Sequence, residues 1–266
     1  MSTLGLIAVG GDSIALWKAG KEVPTTRFSP HARAVTSLRW TANDRALASG
    51  SHDGLVVLSE ASGAHFDTLR PTFSAANAEK ALPAVLCVTW SPASRYLAVG
   101  AADAIVRIFD LQKRVQALEL RGHHAAVCAV SWNPSEVHVA SSSQSGEILV
   151  HRVQGSVAIV CRAVPERSSP VPALQWSPFH AMKLASGAHD GTVSLWDAGS
   201  AAQATLQHAF TQHVASCVSV QWSAVNHHLL VSAGRDGCIH FYDVTKLLLV
   251  RSFYASPALS ALAFAS

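Results

Sequence analysis

His213, Ser232 and Asp236 are residues whose types suit nucleophilic chemistry: a hydroxyl to attack, an imidazole to take its proton, and a carboxylate to orient the ring. Tyr242 follows close behind them. The set recurs along the chain. His31, Ser49 and Asp53 repeat it in the same order, and Ser186, Asp190 and Trp196 repeat its later part. His31, His123 and His213 each stand nine residues before a tryptophan, at Trp40, Trp132 and Trp222. A catalytic centre does not return in successive units, and the chain has no Gly-x-Ser-x-Gly elbow. The favoured reading is therefore structural: Asp to His to Ser to an aromatic residue, a hydrogen-bonded tie across four strands.

The elements that must carry this tie are clearest in Ala185–Asp197, ASGAHDGTVSLWD. It reads as a small-residue strand, a tight turn at His189-Asp190-Gly191, and an alternating strand Thr192–Trp196. Asp-Gly between two β-rich runs is a strong hairpin signal. Positions equivalent to Trp196 are Trp17, Ser59, Phe109, His151 and Tyr242, with successive spacings of 42, 50, 42, 45 and 46 residues over the six. A second ruler, Trp40, Trp90, Trp132, Trp176, Trp222 and Phe264, steps by 50, 42, 44, 46 and 42. Two markers with one period predict repeated four-stranded units.

Predicted innermost strands are Val35–Trp40, Val85–Trp90, Val127–Trp132, Val171–Trp176, Cys217–Trp222 and Leu259–Phe264. Second strands are Leu6–Val9, Ala46–Ser49, Tyr96–Gly100, Val137–Ser141, Lys183–Gly187 and Leu229–Ala233. Third strands end at the Trp196-type positions. Outer strands are Val23–Phe28, Phe66–Arg70, Val115–Leu120, Val157–Arg162, Thr205–Phe210 and Leu249–Phe253. Leu259–Phe264 paired with Leu6–Val9 would complete a sixth, composite unit and remove the open edges. A chain cut from a longer array would instead belong to seven units. The segment Pro71–Pro83 reads as a long surface loop, and Pro165–Pro172 as a second irregular stretch.

Composition narrows the partners. Of 266 residues, 49% are hydrophobic and 14% charged, which suits many half-buried strands in one domain spanning 1–266. The net charge of +3 is mild and no Lys/Arg block stands out, so nucleic acid is not expected. No apolar run approaches a membrane span and no signal peptide is evident, so a soluble, intracellular protein is expected, with no membrane partner. Cys87, Cys128, Cys161, Cys217 and Cys238 form no CxxC pair and read as buried small hydrophobes. His123-His124 and His227-His228 lack a carboxylate or thiol at metal spacing, and Gly10-Gly11-Asp12 reads as a turn rather than a phosphate loop. No catalytic residue, metal site or cofactor is therefore assigned. His151 and Ser145 in the fourth unit, and Ser59 in the second, read as losses from the tie. Loop residues Phe73, Lys80, Arg95, Tyr96, Phe179 and His180 are the candidate partner-binding positions, because exposed Arg and aromatic side chains anchor interfaces.

The motifs at Asp190–Asp197 and Gly237–Asp243, with Trp17, resemble those of WD-repeat proteins. That resemblance implies an all-β propeller with six blades' worth of four-stranded antiparallel sheets, or a truncated seven-bladed ring. Ser145–Val153 (SGEILVHRV), whose third strand ends in His, Gly54–Ser59 (GLVVLS), Asp190–Ser200 and Leu229–Asp243 are similar to the amino-terminal propeller of the γ-tubulin ring complex targeting WD-repeat family. The resemblance implies a non-enzymatic interaction platform in cytoplasm and cytoskeleton, at centrosomes, basal bodies or spindle poles. Its implied partners are proteins, among them the γ-tubulin ring complex or other centrosome and spindle components. In that family a helical region after the propeller grips γ-tubulin complexes, and these residues are not expected to supply that grip. Two alternatives stand beside this reading. One is a WD-repeat adaptor of another pathway, such as a ubiquitin-ligase substrate receptor or a trafficking scaffold. The other is a propeller hydrolase, disfavoured because the inner strands carry Arg39 and Gln175 but no carboxylates.

Overall fold

The computed structural model describes residues 6–18, 23–60, 62–71, 82–154, 158–163, 169–199 and 202–255. The predicted strand Leu259–Phe264 and most of the Pro71–Pro83 loop lie outside them. The chain divides into two compact units, residues 1–121 and 122–264. Among the described residues no helix is long and apolar enough to cross a membrane.

The first unit holds three antiparallel sheets. The first is β1 (Leu6–Gly10), β2 (Ile14–Lys18) and β3 (Thr26–Phe28). The second is β4 (Val35–Trp40), β5 (Ala46–Ser51), β6 (Val56–Glu60) and β7 (His65–Leu69). The third is β8 (Val85–Trp90), β9 (Tyr96–Ala101), β10 (Val106–Asp110) and β11 (Val115–Leu120).

The second unit repeats the design. Its sheets are β12 (Val127–Trp132), β13 (His138–Ser143), β14 (Ile148–Arg152) and β15 (Ala158–Ala163); then β16 (Ala173–Trp176), β17 (Lys183–Gly187), β18 (Val193–Asp197) and β20 (Thr205–Phe210); then β21 (Cys217–Trp222), β22 (Leu229–Gly234), β23 (Cys238–Asp243) and β24 (Leu248–Tyr254). One strand was not anticipated. The two residues of β19 (Ala202–Gln203) add in parallel to the outer edge of β15, whose backbone groups there have no other strand to meet. Two strands are shorter than their patterns predict, β3 starting at Thr26 rather than Val23 and β16 at Ala173 rather than Val171. Pro24 and Pro172 lack the N–H that a ladder needs.

Packing explains the tryptophan ruler. Three of the rings at the ends of inner strands donate to the inner strand of the preceding sheet: Trp90 Nε1 to Arg39 O at 2.9 Å, Trp176 Nε1 to Ser131 O at 3.1 Å, and Trp222 Nε1 to Gln175 O at 3.2 Å. Around these ties the sheets bury apolar faces against one another. Val56, Leu58 and Leu69 meet Val85, Val88 and Phe109 in the first unit, and Val193, Leu195 and Phe210 meet Val220, Trp222 and Tyr242 in the second.

A further regularity lies in the bulges. In the pairing of third with outer strand the register shifts at Leu58/Ser59, Ile108/Phe109, Val150/His151, Leu195/Trp196 and Phe241/Tyr242. Each shift falls directly before the Trp196-type residue, and a bulge of this kind re-aims a side chain. All five residues are buried.

Candidate functional site

The hairpin turn between second and third strands positions the carboxylates. In the last sheet Asp236 accepts the N–H of Val214 at 3.0 Å and of Cys238 at 3.0 Å, which fixes it against the segment that leads into β21. The His213 ring meets it, Nδ1 to Oδ2, at 3.0 Å. His213 Nε2 lies 2.7 Å from Ser232 Oγ, and Ser232 Oγ donates to Tyr242 Oη at 3.2 Å. Burial alone would raise the Asp236 carboxyl, but the Cys238 N–H, the His213 ring and the Val214 N–H outweigh it and hold the pKa below 3.8. Burial pushes the Tyr242 phenol well above its ordinary value.

The second sheet holds the same arrangement. His31 Nδ1 is 3.0 Å from Asp53 Oδ2 and its Nε2 is 2.8 Å from Ser49 Oγ, which donates onward to Val57 O at 3.2 Å. Burial raises the Asp53 pKa, the N–H groups of Leu55 and Ala32 and the His31 ring lower it, and the net shift is downward. Ser59, at the aromatic position, is buried and its Oγ has no hydrogen-bond partner among the described residues. In the fifth sheet Trp196 Nε1 donates to Ser186 Oγ at 2.8 Å, while Asp190 accepts the Thr192 N–H at 3.0 Å within its own turn.

Two carboxylates escaped the sequence reading. Ser145 occupies the turn position of the fourth sheet, its Oγ 2.7 Å from Ser143 Oγ, yet His123 is not left without an acid. Glu147, two residues further on, brings Oε2 to 3.7 Å from His123 Nδ1, while His123 Nε2 lies 2.8 Å from Ser141 Oγ. Ser145 thus stands in place of the turn acid, as expected, and Glu147 adds a carboxylate at an ion-pair distance that is longer than a hydrogen bond. In the third sheet no histidine stands at the equivalent place, and Asp103 is held instead by Arg107. The visible signal for Arg107 is a lone charge in the apolar run VRIF, four residues after the turn acid.

These geometries decide what the triads can do. Ser232 and Ser49 are 0% and 1% exposed and both hydroxyls are engaged, so neither can meet a substrate. His213, Asp236 and His240 offer three metal-type ligand atoms within 4.8 Å, but both nitrogens of His213 are occupied. His240 stacks beside His213 with centroids 4.4 Å apart and its Nδ1 lies 2.7 Å from Ser252 Oγ. Of the cysteines, Cys217 is buried, with its thiol pushed up to about 12, first by desolvation. Cys87, Cys128 and Cys238 are only half-buried, contrary to the expectation of buried small hydrophobes, because they lie on half-exposed strand positions.

The loop candidates fall into separate places. Arg95 stacks over Tyr96 at 4.9 Å and donates to Asp110 Oδ2 at 3.2 Å, so this pair is tied down in the first unit. Phe179 is 45% exposed and its ring meets His227 at 6.0 Å in the second unit. His180, beside it, lines a cavity of about 430 Å³. Phe73 and Lys80 lie outside the described residues.

Comparison with known proteins agrees with this architecture. Residues 130–225 match the Anaphase-promoting complex subunit 4 WD40 domain family, and residues 22–58 and 77–110 match the WD domain, G-beta repeat family. Protein NEDD1 of Homo sapiens is 30% identical over 261 residues, 97% of this chain and 38% of the relative. The WD repeat-containing protein slp1 of Schizosaccharomyces pombe is 33% identical over 162 residues, 60% of this chain and 32% of the relative. The chain therefore spans less than half the length of these relatives. A chain in the crystal structure of Mitotic Checkpoint Complex superposes with a TM-score of 0.71 at 28% identity, covering 83% of this chain and 65% of that one. The repeated sheets, the turn carboxylates and these matches together make the chain a WD40-repeat protein of the β-propeller class, similar to NEDD1 along nearly its whole length.

Proposed function

We propose that the chain is a non-enzymatic protein-interaction platform and serves as the localisation module of a factor that recruits γ-tubulin ring complexes to centrosomes and spindle for microtubule nucleation. The observation that carries this reading is the similarity to NEDD1 over 261 residues, which makes the γ-tubulin ring complex targeting family a functional precedent for the sequence. The absence of turnover is supported by the sealing of Ser49 and Ser232 inside the sheets. Function then falls to loops on a rigid scaffold. The test is to tag these 266 residues in cells. They are expected at centrosomes or spindle poles at most weakly, and without capture of γ-tubulin; joined to a helical carboxy-terminal region they are expected to do both. Efficient capture of γ-tubulin complexes by the 266 residues alone refutes the division of labour. Failure of the extended protein to reach microtubule-organising sites refutes the assignment itself.

A second reading, a WD-repeat adaptor of another pathway, draws on the similarity to slp1 and to the Anaphase-promoting complex subunit cdc20 of Dictyostelium discoideum, 30% identical over 161 residues. It becomes the better one if the extended protein never visits microtubule-organising sites.

A further inference from the structure

We propose that the cavity between the sheet of β16, β17, β18 and β20 and the sheet of β21–β24 docks an extended protein segment that presents a bulky apolar side chain with an adjacent carboxylate. This deepens the interaction-platform reading and rests on it.

The cavity, about 430 Å³, has the size of a ligand pocket. Leu184, Leu195, Trp196 and Trp222 line it, and all four are buried. Both indole N–H groups are already spent, Trp196 on Ser186 Oγ at 2.8 Å and Trp222 on Gln175 O at 3.2 Å. The narrow ring edges that reach the cavity are therefore apolar and suit an aliphatic or aromatic side chain, beside the polar lining of Gln207 and Thr245.

Lys183 supplies the second half of the recognition. It lines the cavity and is half-buried. Its register partner across the sheet is Asp197, but that carboxylate is taken by the Gly199 N–H at 2.8 Å and by Gln207 Nε2 at 3.3 Å. Asp243, on the neighbouring sheet, is likewise occupied by its own turn, accepting from Thr245 Oγ1 at 2.6 Å and from the Lys246 N–H at 2.9 Å. Among the described residues Lys183 makes no ion pair within 4.0 Å, so a half-buried lysine lines the cavity with no carboxylate paired to it. A carboxylate is its complement.

The surroundings favour a protein segment over a small metabolite. Phe179 (45% exposed) and Val225 (91%) stand on the loops that follow β16 and β21, and the ring contact of Phe179 with His227 joins those loops. Leu247, 40% exposed, both lines the cavity and stands on the turn before β24. Exposed apolar residues gathered around a pocket are the mark of a protein-binding surface, with the pocket taking the anchor residue.

The experiment titrates the 266-residue chain with three probes, N-acetylleucine, N-acetylleucinamide and N-acetylglycine, and follows the assigned indole ¹⁵N–H signals. N-acetylleucine is expected to shift Trp196 and Trp222 while leaving Trp17 and Trp40 in place. N-acetylleucinamide, which lacks the carboxylate, is expected to bind about 1.4- to fivefold more weakly, the range for an exposed ion pair. N-acetylglycine, which lacks the anchor, is expected not to bind. Lys183→Gln is expected to equalise the two leucine probes, and Lys113→Gln to leave them unequal. Unmoved indole signals, equal binding of the leucine probes by the unsubstituted chain, or binding of N-acetylglycine each overturn the site. Probe failure in a chain whose extended form still reaches spindle poles overturns the docking site alone. Probe binding by a chain whose extended form never reaches them overturns the localisation reading alone.

Discussion

Arg107 grips Asp103 with two hydrogen bonds, Nη1 to Oδ1 at 3.1 Å and Nη2 to Oδ2 at 2.6 Å, from a side chain that is 1% exposed. This pair stands where the second and last sheets use histidine, and it ties the turn after β9 to the third strand β10. A guanidinium that far from water depends on its acid. Asp103→Ala is expected to lower the unfolding free energy by about 3 kcal/mol or more, because it strands a buried charge. The double variant Asp103→Ala with Arg107→Leu is expected to recover most of that loss, since both polar partners then leave together. Urea unfolding of the two single variants and the double decides the matter, and simple additivity of the losses counts against the pair.

Asp236 gives a prediction with a pH dependence. Its folded pKa is held below 3.8, so its contribution is complete above the unfolded value and is withdrawn as acid protonates the folded carboxylate. Asp236→Ala is expected to cost about 1–3 kcal/mol at neutral pH, by leaving the buried His213 ring without its acceptor. The gap between the parent chain and the variant should stay level down to about pH 5 and close as the pH falls below 3.8. His213, His240 and Cys238 are the other titratable groups about this carboxylate. Ser145→Ala is expected to change stability by less than about 0.5 kcal/mol, because Glu147 and not Ser145 brings the acid to His123. Equal melting-temperature losses for Asp236→Ala and Ser145→Ala would refute the tie.

The turns supply a pair of opposite outcomes. Gly191 sits at φ +89°, and a Cβ there would lie 2.5 Å from His213 O and 2.9 Å from Ala215 O. Gly191→Ala is expected to cost about 1–3 kcal/mol in strain, before the clash with two carbonyls is added. Ala104 occupies the equivalent turn position at φ +65° without being glycine. Ala104→Gly is expected to relieve about 1–2 kcal/mol of left-handed strain, offset by about 0.5–1 kcal/mol of added freedom in the unfolded chain. Thermal melts should show the first variant well below the parent chain and the second at or slightly above it. A stabilised Gly191→Ala would contradict the turn geometry.

Local spacing alone determined the repeat in this protein. The Asp-Gly turns, the alternating strands and the tryptophans 42 to 50 residues apart are readable in order because each is a short-range pattern. The His213, Ser232, Asp236 and Tyr242 set was legible for the same reason: a fixed strand and turn length brings fixed positions together, and the recurrence at His31, Ser49 and Asp53 made it visible. The tertiary structure decided what depends on register and on neighbouring sheets. A bulge before Ser59, Phe109, His151, Trp196 and Tyr242 turns each of them inward, and no residue type announces a bulge. Glu147 comes within 3.7 Å of His123 because a side chain one methylene longer reaches toward the ring from the residue before β14, a proximity that alignment by position conceals. The cavity beside Lys183 is bounded by side chains nearly forty residues apart in sequence, Leu184 and Trp222 among them, so only the packing of one sheet on the next creates it.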